Sequence, residues 1–276
     1  MTAAIIFGGL IALMLTGMPI SIALGLTVLA FMYLMTSVPV DTVALKLFTG
    51  IEKFEIMAIP FFILAGNFLT HGGVARRMIN FASSMVGHWH GGLGLAGVIA
   101  CALFAAVSGS SPATVVAIGS VILPAMVQQG FPKRFGAGVI TTSGALGILI
   151  PPSIVMVMYS VATSGITATG PDGQVVSAAS VGQLFIAGVV PGLILAAVLA
   201  AVTWWLAWRN DYPRLPRASW GARLVAFRKA AWGLLLIVIV IGGIYTGAFT
   251  PTEAAAMSAV YAFVISVFVY KDLKLK

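Results

Sequence analysis

Residues 91–130 read GGLGLAGVIACALFAAVSGSSPATVVAIGSVILPAMVQQG and contain no Asp, Glu, Lys or Arg. The run is broken halfway by Ser108-Gly109-Ser110-Ser111-Pro112. One membrane crossing by a helix takes about 20 apolar residues, so the stretch is long enough for two arms. Arg76-Arg77 precede it and Lys133-Arg134 follow it. Basic residues collect on the cytoplasmic side of a membrane, which places both ends of the stretch on that side. Two full crossings would carry the Ser-Gly-Ser-Ser tip to the far surface, where its polar chemistry has no purpose. The preferred reading is a re-entrant hairpin whose tip stops near the membrane midplane.

The rest of the sequence agrees with a bilayer as solvent. Of 276 residues, 60% are hydrophobic and 8% charged, with a mean hydropathy of +1.08. No soluble domain of this size hides that much apolar surface, and the length allows roughly seven to nine membrane segments. The net charge of +8 lies in short clusters between apolar runs, the pattern of topology determinants and not of a nucleic-acid surface. Cys101 is the sole cysteine, which excludes an internal disulfide or a cysteine metal cluster and reads as a buried, inert thiol. The N-terminus opens apolar at Thr2-Ala3-Ala4-Ile5-Ile6, without the basic start of a cleaved signal peptide.

The chain is expected to be an all-α polytopic bundle. Residues 1–55 form an N-terminal part: an apolar stretch at 2–35, interrupted at Gly17-Met18-Pro19, and an amphipathic interfacial helix over 38–55. The interruption leaves two choices open, one kinked helix or two short antiparallel segments. Residues 56–208 hold an apolar segment at 56–70, the hairpin at 91–130, a helix at 135–164 broken at Pro151-Pro152, a polar loop at Pro171-Asp172-Gly173 and a span at 182–208. A basic linker over 209–230 is followed by spans at about 231–249 and 253–270. With 71–90, 131–134, 209–229 and 271–276 inside, thirteen of the fifteen basic residues are cytoplasmic. Asp41, Glu52, Glu55, Asp172 and Glu253 are then outside.

Broken helices at membrane depth are tolerated where protein buries them or a watery cavity touches them. Two such breaks fall close together, the tip Ser108–Thr114 and the run Thr141–Ser153. Freed carbonyls and hydroxyls suit a hard monovalent cation such as sodium. The helix starting near Pro112 turns its N-terminal N–H groups toward the same place, which favours a carboxylate. Each break alone has a plainer explanation, since small residues are common at helix contacts and a Pro-Pro pair can simply kink a helix. Elsewhere the structural reading wins. Thr250-Pro251-Thr252-Glu253 is a capping box, and Trp204, Trp205 and Trp208 mark a headgroup belt. His71, His88 and His90 read as interfacial anchors, without ligand spacing for a metal. No span holds an internal charge, which argues against a carboxylate proton relay and for coupling through neutral oxygens.

Four runs carry a family resemblance. They are Ala58–Asn67 (AIPFFILAGN), Ser108–Thr114, Ile148–Ser153 and Gly243–Gly247 running into Phe249–Ala255. Each resembles, in order, the large membrane subunit of tripartite ATP-independent periplasmic (TRAP) transporters, the DctM-like proteins of the ion-transporter superfamily. The resemblance implies an elevator-type, sodium-coupled permease in the bacterial inner membrane. Its partners would be a small four-helix membrane subunit and a periplasmic substrate-binding protein. Its substrates would be organic acids such as C4-dicarboxylates, sialic acid or related carboxylates, with sodium the only ion and no cofactor. By motif, Ser108, Ser110, Ser111 and the backbone near Gly144 would hold sodium, while Thr114, Ser143, Pro152 and Ser153 would lie beside the substrate. The family is built from two inverted repeats, and this sequence shows one hairpin and one broken helix. It therefore reads as roughly two-thirds of a permease, with half of the substrate site and a second sodium site outside it.

Other readings stay open on sequence alone. A passive pore would also use broken helices, and a shortened permease would serve as a non-transporting scaffold. An intramembrane hydrolase would need a base near Ser108, and no His, Asp or Lys stands there. No Gly-x-x-x-x-Gly-Lys loop points to ATP. The solute itself is not encoded in any charged residue of a span.

Overall fold

The computed structural model describes residues 2–37, 39, 41–169 and 175–273. The turn Pro171-Asp172-Gly173 and the terminal Lys274 and Lys276 lie outside the described residues. Two units are present, residues up to Lys53 and residues from Phe54 onward. The first holds α1 (Thr2–Leu15), α2 (Ile20–Met35) and α3 (Asp41–Ile51). The choice left open at Gly17-Met18-Pro19 resolves as two short helices. Gly17 adopts φ +82° and Pro19 an extended conformation, so the chain reverses there. Helices α1 and α2 then pack side by side around a greasy groove between Ile5 and Leu34.

The second unit begins with a 3₁₀ turn at Phe54–Met57. It then runs through α4 (Ala58–His71), α5 (Val74–Val86), α6 (Gly92–Ser108), α7 (Ser111–Gln128), α8 (Lys133–Gly144), α9 (Leu146–Leu149) and α10 (Ile154–Thr163). A two-stranded antiparallel hairpin follows, β1 (Thr167–Thr169) with β2 (Val175–Ser177), pairing Thr167 with Ser177. Helices α11 (Val181–Arg209), α12 (Trp220–Tyr245) and α13 (Pro251–Val264) complete it, α13 loosening into a π-helical turn at Ile265–Val269. Among the described residues, five helices are long and apolar enough to cross a membrane, or six if the bent pair α8–α9 and α10 is one span. Three shorter apolar helices, α1, α2 and α6, add to these.

Caps explain the starts. Ser180 and Thr250 each close a capping box, with Gln183 and Glu253 returning to the cap N–H, and Ser219 caps α12. The polar stretch after His71 is itself a helix, α5, with Val74, Ala75, Met78, Ile79 and Ala82 on its buried face. That spacing is helical and outweighs the two arginines that make the stretch look like a loop. Likewise the basic residues Arg223, Arg228 and Lys229 belong to the first turns of α12, which continues unbroken into its apolar part.

Helix α6 is buried along almost all of its length and forms the axis of the unit, with Phe104, Cys101 and Ala100 inaccessible. A helix apolar on every side is one surrounded by others. Its neighbours supply Phe62 and Leu69 from α4, Met78 from α5, and Ile118, Ile122 and Met126 from α7.

The basic segments gather at one end. Leu215 donates its N–H to the Gly87 carbonyl at 2.9 Å, and Tyr212 packs on Phe131 and Phe135. Arg77 pairs with Asp272 at 2.6 Å, and the Tyr270 hydroxyl donates to the Lys229 carbonyl at 2.6 Å. At the other end, Glu55, Ser160, Ser164 and Ser180 line one groove, and the Thr252 hydroxyl reaches the Phe54 carbonyl at 3.4 Å.

Candidate functional site

Helix α6 ends at Ser108 and α7 begins at Ser111, so the tip is two residues long. Gly109 makes the reversal with φ +61°, and its N–H closes α6 by donating to the Ala105 carbonyl at 3.0 Å. Ser110 caps α7 from an extended backbone, its hydroxyl facing the Ala113 N–H at 3.5 Å, with Pro112 in the first turn. Inside the turn, the Thr114 hydroxyl donates to the Ser110 carbonyl at 2.8 Å and lies 3.1 Å from the Ser108 hydroxyl. Ser108 and Thr114 are fully buried.

The second break lies between α9 and α10, which are bent by 42° across Ile150–Ser153. The Pro151–Pro152 peptide is cis. Ser153 bridges the gap by donating its hydroxyl to the Ile148 carbonyl at 2.7 Å. Leu146 and Ile150 anchor the break against Leu195 and Leu199 of α11.

The two breaks meet. The Ile154 N–H, first in α10, donates to the Gly109 carbonyl at 3.1 Å. The approach leaves no room for side chains at two glycines. A Cβ on Gly109 would sit 2.7 Å from the Pro152 carbonyl oxygen, and one on Gly147 would sit 2.8 Å from the Ser111 nitrogen. Behind the tip, α4 presents Gly66 to Ser108, where a Cβ would be 3.3 Å from the serine Cβ.

The tip does not reach the far end of the unit. Helices α8 and α9 rise about 25 Å from the basic end to the break. Helix α10 then continues for 10 residues, about 15 Å more, toward the groove at Glu55 and Ser164. A tip pinned at the start of α10 is therefore internal, as a re-entrant hairpin requires.

This sequence matches the family described as Tripartite ATP-independent periplasmic transporter, DctM component, over residues 7–276. The chain belongs to the DctM family. Among curated relatives, it is 82% identical over all 276 residues to the C4-dicarboxylate TRAP transporter large permease protein DctM of Rhodobacter capsulatus, covering 63% of that protein. It is 52% identical over 92% of its length to the protein of the same name from Pseudomonas aeruginosa, covering 56% of it. Over 98% of its length it is 43% identical to the isethionate TRAP transporter permease protein DctMQ of Oleidesulfovibrio alaskensis, covering 40%. The chain thus spans less than two-thirds of the length of these relatives. They are permease subunits and not enzymes, which sets aside the intramembrane hydrolase.

In this DctM-family chain the residues expected at the site differ in exposure and partners. Ser110 and Ser111 are partly exposed at the tip, with Pro112 open beside them. Gly144 is buried against Val115, and the place its Cβ would take lies 3.6 Å from the Ser111 carbonyl, so the α8 terminus and the tip are neighbours. Ser108 and Thr114 are buried and meet inside the tip, and Ser153 is buried and bonded to Ile148 across the second break, so the three brace the two breaks. Ser143 differs from all of these: its hydroxyl is buried and has no hydrogen-bond partner among the described residues. Pro152 is buried and supplies the carbonyl that crowds Gly109.

Sequence reasoning missed Gly66 and Gly147 as contact points, although both lie in quoted runs; only the pairing of segments reveals why they are small. The other two family runs close on the same locus. Ile59 and Ile244 both pack against the cluster of Val157, Val181 and Phe185 that supports α10. Chemically, two helix N-termini (α7 and α10) and two C-termini (α6 and α9) converge here. The first pair favours an anion and the second, with hydroxyls and carbonyls of Ser110 and Ser111, favours a cation.

Proposed function

We propose that this chain carries one half of the transport site of a TRAP permease that imports C4-dicarboxylates with sodium across the bacterial inner membrane. The observation that carries the reading is the joining of the two breaks, Ile154 N–H to Gly109 carbonyl. It brings the hydroxyls of the tip next to the first turns of α7 and α10, which supports a cation held beside an anion. Sodium would be held by Ser110 and Ser111 with the backbone near Gly144, Ser108 bracing the tip. The carboxylate would approach Ser143, Pro152 and Ser153, with Thr114 behind. The dicarboxylate reading rests on the 82% identity to a relative so named, and the isethionate relative keeps other small organic anions in range. A small four-helix membrane subunit and a periplasmic binding protein would complete the transporter, and elevator movement of the hairpin with the broken helix would carry the solute.

Uptake of labelled succinate into proteoliposomes tests this, with the chain, as it stands and extended by the remaining part of a full-length relative, reconstituted beside a small membrane subunit and a periplasmic binding protein. Uptake that requires sodium, is blocked by unlabelled C4-dicarboxylate more than by isethionate, and fails in Ser110→Ala and Ser111→Ala supports the reading. Uptake indifferent to sodium, or unchanged in both variants, refutes it.

A further inference from the structure

A second cluster of polar side chains lies at the basic end, away from the transport locus. His88, Trp89 and His90 occupy the turn between α5 and α6. The linker after α11 folds back onto this turn through the Leu215 N–H to Gly87 carbonyl bond, and Tyr212 wedges against Phe131 and Phe135 at 5.4 and 4.8 Å. Arg214 is thereby brought beside the turn. With Trp204 from the last turns of α11, these residues line a cleft of about 340 Å³. Among the described residues, no acidic side chain lines it.

Several donors around this cleft lack acceptors among the described residues. An indole N–H can only donate, and that of Trp89 points at His88 Nε2 at 3.0 Å. Nε2 must then be the bare nitrogen, which puts the imidazole proton on Nδ1. That nitrogen is buried and has no partner among the described residues. Arg214 is also unspent. Arg77 is paired with Asp272, while Arg209 and Arg223 lie over the rings of Trp205 and Trp220; Arg214 has no such contact among the described residues. The Trp204 ring stacks on Trp208 and its N–H is likewise unpaired among the described residues. An aromatic-walled cleft with a guanidinium, two imidazoles and an indole N–H, at the end of a membrane helix, complements an anion with several acceptor oxygens held at headgroup depth.

We propose that the cleft of His88, Trp89, His90, Trp204 and Arg214 binds a phosphate group, supplied by an anionic phospholipid headgroup or by free phosphate. It is independent of the transport site. Native mass spectrometry of the full chain in detergent tests it, titrating phosphatidylglycerol against phosphatidylcholine with and without millimolar inorganic phosphate. The expected result is preferential retention of phosphatidylglycerol or of phosphate. Arg214→Gln and the double variant His88→Ala, His90→Ala should each lose that preference by roughly tenfold, the worth of one charge-assisted hydrogen bond. Arg209→Gln, outside the cleft wall, should keep it. Retained phosphatidylglycerol that inorganic phosphate does not displace assigns the site to lipid; displacement assigns it to free phosphate. Equal retention of both lipids with no bound phosphate, or equal loss in Arg209→Gln, overturns the proposal. Size-exclusion elution of each variant separates loss of binding from loss of folding.

Discussion

Ser143 and Gly109 show how differently two residues of one site are constrained. A buried hydroxyl without a partner costs stability, because its lost hydration is not replaced. Ser143→Ala should therefore leave the unfolding midpoint unchanged or raise it slightly, while under the proposed function binding of the organic anion weakens. A fall in the midpoint by several degrees would mean that the hydroxyl is a packing element after all. Gly109 behaves in the opposite sense. Its φ of +61° penalises any L side chain, and an added Cβ would press on the Pro152 carbonyl, a backbone atom that cannot swing aside. Gly109→Ala should cost about 2 kcal/mol, read as an earlier thermal or denaturant transition in detergent. A variant as stable as the parent would show that the tip and the second break are not locked together.

The elements divide into those legible in sequence and those that are not. The hairpin shows itself because an uncharged run twice the length of a span, with one polar break and basic residues at both ends, has few other solutions. Capping residues marked the start of α13 at Thr250 and Glu253, and the structure forms that box. Helix α5 was hidden because Arg76, Arg77, Ser83 and Ser84 dominate a polar average, although Val74, Met78 and Ala82 keep helical spacing. The β1–β2 hairpin escaped because three-residue strands leave too short a pattern to read. The bond from Ile154 to Gly109 was beyond reach for a different reason: it joins residues far apart in sequence, and nothing local specifies it. The arrangement of elements predicts sidedness. In a Cys101→Ser background, cysteines placed at Arg134 and Arg217 should react with a membrane-impermeant maleimide only from the cytoplasmic face. One at Ser164 should react only from outside. Labelling of Arg134 and Ser164 positions from the same face would contradict a broken helix, α8 to α10, that runs from the basic end to the opposite one.

At the scale of the whole molecule, family runs scattered from Ala58 to Ala255 converge on the two breaks. Gly66 backs Ser108, Ile59 and Ile244 support α10, and the run Ile148–Ser153 forms the break itself. A protein built this way gains stability from an ion that binds the folded site, by an amount that grows with the ratio of ion concentration to dissociation constant. The most direct measurement is the thermal unfolding midpoint of the purified chain in sodium chloride against potassium chloride at equal ionic strength. The comparison includes the parent, Ser110→Ala and Ser111→Ala. A sodium site at the hairpin tip requires a higher midpoint in sodium for the parent and no sodium-specific shift in either variant. Equal midpoints in the two salts, or a sodium shift that survives both substitutions, would contradict a sodium site at the hairpin tip.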